Sequence, residues 1–364
     1  MKRLTVMIKP ASSLCDMRCT YCFYHDVAAA RHKASMGIMS RETAAAIIRN
    51  VYSQLTPGDV INFAFQGGEP GLAGLDFFEF FAETAKNASP RGVKTHYAFQ
   101  TNGLMIDDDW CRFFKANNAL VGLSLDGDAP LHNLNRVDAQ KKGTFGRVIE
   151  AKKLLDKHKV DYNILCVLTA ESARRARRIW GFVLKEGIRY IQFIPCLEPL
   201  GDTHPAALAS EKFFQFYDAL FPLWKTEAAR GNIIHVRLFE DLMGIYLAGQ
   251  KFTCGISGRC APQIVVEADG NVYPCDFYVL DEYRVANLAE SSIKDVFEAV
   301  AASDFLKQGQ QMPAHCEGCA YSMWCQGGCK RMAKAVYGPN CGMKAFLNRH
   351  LSSLIKQQKG RQGS

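Results

Sequence analysis

Apolar runs and amphipathic segments alternate along the first part of the chain, and this alternation predicts its secondary structure. Short runs rich in β-branched and aromatic residues predict strands, and segments with apolar positions at helical spacing predict helices. Ser40, for example, is placed to cap a helix. The predicted strands are residues 4–8, 60–66, 94–100, 120–125, 162–169 and 190–195. The predicted helices between them are residues 43–54, 75–87, 107–117, 144–158 and 171–186.

The regular succession of strands and helices predicts a parallel sheet whose crossovers are right-handed. The order of the elements leaves an open sheet and a barrel both possible. In barrel folds the chemistry takes place at the C-terminal ends of the strands. Glycine-rich and polar stretches of this chain end or follow its predicted strands, at residues 66–70, 100–103, 124–127 and 195–199.

The pattern changes after residue 203. Two longer helical stretches lead to a cysteine-rich segment between Cys254 and Cys341. Within this segment, Asp269-Gly270 stands between apolar runs and predicts a β-hairpin. The chain beyond Leu354 is expected to fray. We therefore expect an α/β domain over residues 1–203, a helical connection over 204–250, a cysteine-rich domain over 251–345, and a C-terminal helix and tail over 346–364.

The composition is that of a globular protein with a sizeable core, since 48% of the 364 residues are hydrophobic and 22% are charged. No apolar run approaches the roughly 18 residues that cross a bilayer, and the N-terminal run is too short for a signal peptide. We therefore expect a cytoplasmic protein that binds no membrane. The formal charge is +8, and the basic run at residues 174–178 predicts a solvated helix face. Nucleic-acid binding is not expected, because no aromatic residues are interleaved with these charges.

Fourteen cysteines without an export signal predict metal ligands rather than disulfides, because thiols stay reduced in the cytosol. Three of them, Cys15, Cys19 and Cys22, fall within eight residues. Thiolates are soft ligands that suit zinc and iron–sulfur clusters, and a structural zinc site closes with four ligands. A cubane cluster on three cysteines leaves one iron free to bind a further ligand. A zinc knuckle is the alternative.

Eight more cysteines lie towards the C-terminus, enough for two fully ligated four-iron clusters. Two structural zinc sites are the alternative. The remaining Cys111 and Cys166 predict buried, inert thiols, whereas Cys196 ends a strand near the presumed site. The eight are Cys254, Cys260, Cys275, Cys316, Cys319, Cys325, Cys329 and Cys341.

The spacing of the first three cysteines, with Tyr21 just before the last of them, resembles the signature of radical S-adenosylmethionine (SAM) enzymes. The C-terminal cysteines resemble a SPASM domain. This resemblance implies a partial (β/α)6 barrel, SAM bound to the free iron of the first [4Fe-4S] cluster, and two auxiliary [4Fe-4S] clusters. The implied auxiliary ligand sets are Cys254, Cys260, Cys275 and Cys329 for the nearer cluster, and Cys316, Cys319, Cys325 and Cys341 for the farther one.

The stretch from Gln66 to Pro70 resembles the GGEP motif of the same family. Gly71 stands where Thr is expected, which loosens this turn without removing a ligand. The alternatives are a tight turn for the glycines, a turn cap for Ser124, a surface salt bridge for Arg136 and simple packing beside the cluster for Tyr21. The SAM contacts that the resemblance implies are Tyr21, Gly68, Glu69, Ser124, Arg136 and the backbone at Leu197.

The segment around Cys275-Asp276 and the sequence Cys22-Phe23-Tyr24-His25 resemble those of anaerobic sulfatase-maturating enzymes. The resemblance implies that Asp276 is the catalytic proton acceptor and that Gln66 binds substrate. A surface aspartate or a backbone cap is the alternative for Asp276.

The implied reaction is oxidation of a Cys or Ser side chain in a sulfatase polypeptide to Cα-formylglycine. The 5′-deoxyadenosyl radical removes a Cβ hydrogen, Asp276 takes the thiol or hydroxyl proton, and the second electron leaves through the auxiliary clusters. The implied partners are a sulfatase segment with the motif Cys/Ser-x-Pro/Ala-x-Arg and a flavodoxin- or ferredoxin-type reductant. We expect a monomer.

Two other functions stay open. SPASM proteins also form thioether or carbon–carbon crosslinks in ribosomal peptides, often with an N-terminal precursor-binding domain. The cluster loop starts at Cys15, so we expect no room for such a domain and favour a substrate recognised by a short motif. A non-catalytic iron–sulfur electron carrier is the second alternative, but it does not explain a three-ligand loop on a βα scaffold.

Overall fold

The computed structural model of the chain describes residues 2–249, 253–309 and 311–362. The chain divides into two units. The first comprises Met1–Ser124, Asn133–Tyr162 and Ala261–Gln308. The second comprises Leu125–His132, Asn163–Cys260 and Gly309–Ser364. The predicted domain boundary between residues 250 and 251 lies outside the described residues, as do the last two residues of the predicted tail.

All six predicted strands form, and four shorter ones follow them. The strands are β1 (Arg3–Ile8), β2 (Val60–Phe65), β3 (Lys94–Thr101), β4 (Leu120–Ser124), β5 (Tyr162–Leu168), β6 (Tyr190–Pro195), β7 (His235–Val236), β8 (Ile264–Val266), β9 (Asn271–Tyr273) and β10 (Ala286–Asn287).

The predicted helices also form, with Ser40 accepting a hydrogen bond from Thr43 N at the start of its helix, as predicted. The helices are α1 (Phe23–Ala29), α2 (Arg41–Tyr52), α3 (Leu75–Ala88), α4 (Asp108–Ala116), α5 (Ala129–Asn135), α6 (Phe145–Lys157), α7 (Ala176–Lys185), α8 (Ser210–Ala229), α9 (Arg237–Ala248), α10 (Cys254–Ser257), α11 (Ile293–Ala302), α12 (Asp304–Gln308), α13 (Ser322–Cys325) and α14 (Gly342–Gln362). Short 3₁₀ turns cover Pro70–Ala73, Ser172–Arg175, Asp276–Tyr278, Asp281–Tyr283, Ala314–Cys316 and Lys330–Met332, and a π-turn covers Ala333–Tyr337.

The sheet of the first unit contains the first four strands side by side and parallel, in the order β1-β2-β3-β4. The predicted hairpin forms as β8 and β9, with its turn at Asp269-Gly270. One feature was not predicted: β8 pairs parallel with the free edge of β1, with Val6 opposite Ile264 and Ile8 opposite Val266. This pairing satisfies backbone groups that an edge strand leaves open. It also brings the cysteine-rich segment to the end of β1.

An aromatic core fills the space between this sheet and its helices. The Phe65 ring lies 5.1 Å from those of Phe78 and Phe81 and 5.0 Å from that of Phe99. The predicted apolar side of α3 is therefore buried, except that Phe80 stays half-buried beneath Arg41. The four-ring contact holds β2 and β3 rigidly, and the glycine-rich turn follows β2 directly.

The second unit contains the parallel strands β5, β6 and β7 in that order. Its core is also aromatic, with Phe221, Phe239 and Phe346 within 6.0 Å of one another. Helix α14 packs against α8 and continues to Gln362, so the chain is helical past Leu354, where fraying was expected. No helix among the described residues is both long and apolar enough to span a membrane.

A buried ion pair joins α1 to the end of β8. The side chains of Arg31 and Glu267 are fully buried, with Nη1 and Oε1 2.7 Å apart, and the Tyr24 hydroxyl donates to the same oxygen. Burial on its own raises the pKa of Glu267, but the positive charges of Lys9 and Arg31 hold this pKa below its usual value. The carboxylate is therefore ionised inside the protein and depends on its partners.

We predict that Arg31→Met lowers the free energy of unfolding by about 3–5 kcal/mol, because it leaves an uncompensated buried carboxylate. The matched control is Arg41→Met, which breaks an Arg–Asp pair whose side chains are 52% and 74% exposed and costs about 1 kcal/mol or less. Chemical denaturation followed by circular dichroism measures both. Equal losses in the two variants would contradict the assignment.

Candidate active site

The three-cysteine loop follows β1 and is tied to the segment after α5. Arg18 N donates to Val137 O at 2.7 Å, and Thr20 N donates to Asn135 O at 3.0 Å. Burial raises the pKa of the Cys15 thiol to about 12, and Glu69, Asp16 and Cys19 raise it further. Since the thiolate is the form that ligates metal, a bound cation is what favours its ionisation here.

Gly68 stands where two backbones approach closely. A Cβ atom at this position would lie 2.0 Å from Leu14 O. Gly68 N donates to Ser12 O at 2.8 Å, and Glu69 N donates to Leu14 O at 2.7 Å. The glycine therefore lets the turn after β2 pack against the residues that lead into Cys15.

The Glu69 carboxylate is buried and already has three donors. Its oxygens accept from Gly71 N at 3.0 Å, from the Thr101 hydroxyl at 2.9 Å and from Asn102 N at 2.7 Å. This side chain joins the ends of β2 and β3. Burial raises the pKa of Glu69 to about 7 despite these hydrogen bonds. Contact between Glu69 and SAM stays a prediction.

The other predicted SAM residues lie at the ends of strands or next to the cysteine loop. Arg136 is 7% exposed, and its guanidinium carbon lies 5.6 Å from the centre of the Tyr21 ring. Its Nη1 lies 4.0 Å from Cys19 Sγ. A surface salt bridge therefore does not describe Arg136. Ser124 ends β4 and is buried, and Leu197 is a buried residue of the second unit.

Asp276 lies in the 3₁₀ turn after the hairpin, next to Cys275. Its Oδ1 lies 2.5 Å from Lys9 Nζ, and its Oδ2 accepts from Gln66 Nε2 at 2.7 Å. The structure therefore brings the predicted proton acceptor and the predicted substrate-binding glutamine into direct contact. The aspartate side chain is 16% exposed.

The second unit brings four predicted cluster ligands to one cavity. The thiols of Cys316, Cys319, Cys325 and Cys341 line it together with His315, Tyr337 and Lys344. Burial raises the pKa of Cys316, and the three other thiols raise it further. Four converging thiols suit a fully ligated four-iron cluster.

Three ligands of the other predicted auxiliary cluster also lie close together in the second unit. Burial raises the pKa of Cys254 to about 11, and the neighbouring Cys329 and Cys260 raise it further. Cys275, the predicted fourth ligand, belongs to the first unit. Among the described residues, no group of three or more Cys, His, Asp or Glu side chains is arranged to hold a single metal ion.

The three cysteines without a predicted cluster are all buried, as expected. Burial raises the pKa of Cys196 to about 12, with Asp126 contributing. The thiol is therefore protonated and weakly nucleophilic at neutral pH.

Sequence reasoning missed the charged partners of the site. Lys9 and Arg31 are buried cations, and Glu267 is a buried anion. The available signals were a lysine directly after one strand and a glutamate directly after another. Neither signal is specific without knowing that β1 and β8 are neighbours.

Comparisons with known proteins agree with this geometry. The profile of the Radical SAM superfamily matches residues 10–177, and that of SPASM, an iron-sulfur cluster-binding domain, matches residues 258–320. The cysteine-type anaerobic sulfatase-maturating enzyme of Clostridium novyi is 38% identical over 364 residues, covering 97% of each chain. The serine-type anaerobic sulfatase-maturating enzyme of Klebsiella aerogenes is 32% identical over 327 residues, covering 89% of this chain and 79% of that protein.

A solved structure is similar over the same length. It is native anSMEcpe with bound AdoMet and Cp18Cys peptide, with a TM-score of 0.90 and 37% identity. The match covers 97% of this chain and 98% of that one. The similarity therefore includes both the βα part and the cysteine-rich part of the chain.

We predict that Glu69→Gln flattens the pH dependence of thermal stability. Because burial raises the pKa of Glu69 from 4.5 to about 7, the folded protein keeps a proton that the unfolded chain releases. Stability therefore falls by about 3 kcal/mol as the pH rises through this range, and the glutamine removes that loss. Anaerobic melting of the cluster-loaded protein measures it, with the exposed Glu83→Gln as control. Identical slopes in Glu69→Gln and the wild type would refute the assignment.

Proposed function

This chain belongs to the anaerobic sulfatase-maturating enzymes, radical SAM enzymes that oxidise Cys or Ser to formylglycine, and we propose that it acts on a cysteine. The predicted fold class, a partial (β/α)6 radical SAM barrel followed by a SPASM domain, is confirmed. The predicted cofactors, SAM and several [4Fe-4S] clusters, are confirmed as well. A sulfatase peptide is the substrate class that the related structure supports.

The preference for cysteine is supported by two graded similarities. Identity is 38% with the cysteine-type relative and 32% with the serine-type relative. Coverage of this chain is also larger for the cysteine-type relative, at 97% against 89%. The substrate motif then reads Cys-x-Pro/Ala-x-Arg.

The residues that hold the cofactors follow from the thiol groups described above. Cys15, Cys19 and Cys22 hold the SAM-binding cluster, with Gly68 and Arg136 as the best-placed SAM contacts. When bound, SAM and this cluster supply the radical that removes a hydrogen from Cβ of the substrate cysteine. The further SAM contacts that we propose are Tyr21, Glu69, Ser124 and Leu197. The auxiliary ligands that we propose are Cys254, Cys260, Cys275 and Cys329 for one cluster, and Cys316, Cys319, Cys325 and Cys341 for the other.

Asp276 accepts the proton of the substrate thiol, and this assignment rests on its contacts. A general base must lie within hydrogen-bond reach of the proton that it takes. An ionised carboxylate offers about four lone-pair positions, and the bonds from Lys9 and Gln66 occupy two of them. The remaining positions are available to a substrate thiol. The oxidised Cβ then loses sulfide to water and becomes the aldehyde.

The cellular setting of the enzyme follows from its thiols. All fourteen cysteines are free, which fits a reducing compartment. We propose that the enzyme works in the cytoplasm on unexported sulfatase chains, as a monomer, with a flavodoxin- or ferredoxin-type reductant. The domain limits proposed from the sequence, 1–203, 204–250, 251–345 and 346–364, complete this description.

We predict that cluster-loaded enzyme with SAM and a reductant converts a Cys-x-Pro-x-Arg peptide to a product about 18 Da lighter, because CH2–SH becomes an aldehyde. The matched Ser peptide loses about 2 Da by the same oxidation and reacts more slowly. Peptide mass and 5′-deoxyadenosine are followed together under anaerobic conditions. Deoxyadenosine with an unchanged peptide would instead favour the peptide-crosslinking alternative, and faster conversion of Ser would reverse the proposed preference.

We predict that Asp276→Asn keeps the clusters but loses most of the turnover, by about 10²–10⁴-fold, because a positioned base is absent. The matched control is Asp281→Asn, which alters the next acidic residue of the same segment, an ion-pair partner of His32. Iron content and aldehyde formation are measured for both variants. Wild-type turnover in Asp276→Asn would remove its assignment as base.

A further inference from the structure

The Asp276 carboxylate is held from outside its own turn. Lys9 follows the last residue of β1, and Gln66 follows the last residue of β2. Each donates to a different oxygen of the carboxylate, at 2.5 Å and 2.7 Å. Both donors therefore belong to the strands of the parallel sheet, whereas the acceptor belongs to the cysteine-rich segment. The contact with Lys9 joins residues that are 267 positions apart.

Lys9 is buried to an unusual degree for a lysine. Only 1% of the residue is exposed, and taking an ammonium out of water costs several kcal/mol. Its Nζ lies 4.0 Å from the centre of the Tyr24 ring, close enough for a cation–π interaction. The ion pair with Asp276 supplies the other part of the compensation.

The charge balance shows which carboxylate needs Lys9. Two cations, Lys9 and Arg31, face two anions, Glu267 and Asp276. Arg31 already pairs with Glu267 at 2.7 Å, and the Tyr24 hydroxyl donates to the same carboxylate. The hydrogen bond of Lys9 goes instead to Asp276. A lysine with only a structural task would not need the partner that is 16% exposed.

Asp276 also lacks support from its own backbone turn. Its oxygens accept from side chains of distant strands rather than capping the turn in which it lies. Gln66 alone leaves the carboxylate free to pivot about one oxygen. A second donor on the other oxygen fixes the carboxylate plane.

We propose that Lys9 is a positioning residue, which fixes the Asp276 carboxylate in the orientation that accepts the proton of the substrate thiol. This inference rests on the proposed function, because it assigns the task of Lys9 within that reaction. Lys9 touches neither substrate nor cofactor in this assignment. It acts through Asp276 alone, and the substrate affinity does not depend on it.

The test compares Lys9→Met with the wild type in the peptide assay, each loaded with clusters and SAM. We expect kcat for aldehyde formation to fall about a hundredfold with KM for the peptide unchanged, because the base is misplaced. We also expect the ratio of 5′-deoxyadenosine to aldehyde to rise, since the substrate radical still forms but is not deprotonated productively. A structural defect that impairs cluster loading lowers both products together and leaves their ratio unchanged.

The matched control is Lys152→Met. Lys152 is also buried and ion-paired, with its Nζ 2.9 Å from Asp156 Oδ2 on the same helix, α6. This variant tests the loss of a buried lysine away from Asp276, and we expect wild-type kcat and product ratio. A shorter donor without charge, Lys9→Gln, should give an intermediate kcat and keeps the test valid if Lys9→Met loses iron.

The outcomes separate the two proposals. If the wild type forms no aldehyde, the proposed function is wrong. If the wild type forms aldehyde and the Lys9 variants match its kcat and product ratio, the positioning role is wrong. A parallel loss of both products, or loss of iron from both Lys9 variants, assigns Lys9 to folding and also overturns the positioning role.

Discussion

The parallel pairing of β1 with β8 is the interaction on which the arrangement of this site depends. It joins only three residues of each strand, yet its register determines what faces the site. Side chains alternate between the two faces of a strand, so a slip of one residue would send Lys9 and Glu267 to opposite faces. In the observed register, the strand ends deliver a cation and an anion to the same buried cluster. The turn that carries Asp276 follows directly from the same hairpin.

Burial makes this cluster an all-or-none structure. In the low dielectric of the interior, an unpaired charge costs far more than a paired one. The four charged groups are balanced, two positive and two negative, and Tyr24 contributes both a hydroxyl and a ring face. Each strand end therefore has to be in place before any one of these charges is compensated. The geometry of Asp276 is consequently a property of the folded sheet and not of its local loop.

The sequence predicted those features that depend on local periodicity and on fixed spacing. Strand β6 has the predicted bounds, Ser40 caps its helix, and Asp269-Gly270 makes the predicted hairpin. What it did not predict is where that hairpin goes, because pairing between strands more than 250 positions apart leaves no local pattern. The role of Gly68 illustrates the limit. Its glycine suggested an approach to a ligand, but a contact with the backbone at Leu14 already requires it.

The two acidic residues at the strand ends are held in contrasting ways, and this contrast explains why only one suits proton transfer. Two of the three donors to Glu69 are backbone N–H groups, and the third is a hydroxyl of a rigid strand. Such donors cannot move away, so a proton arriving there would disrupt the joint between β2 and β3. The donors to Asp276 are the ends of two long side chains, which can shift as the charge of the carboxylate changes. A base has to change its protonation state in each turnover, and only donors of this second kind tolerate that change without moving the backbone.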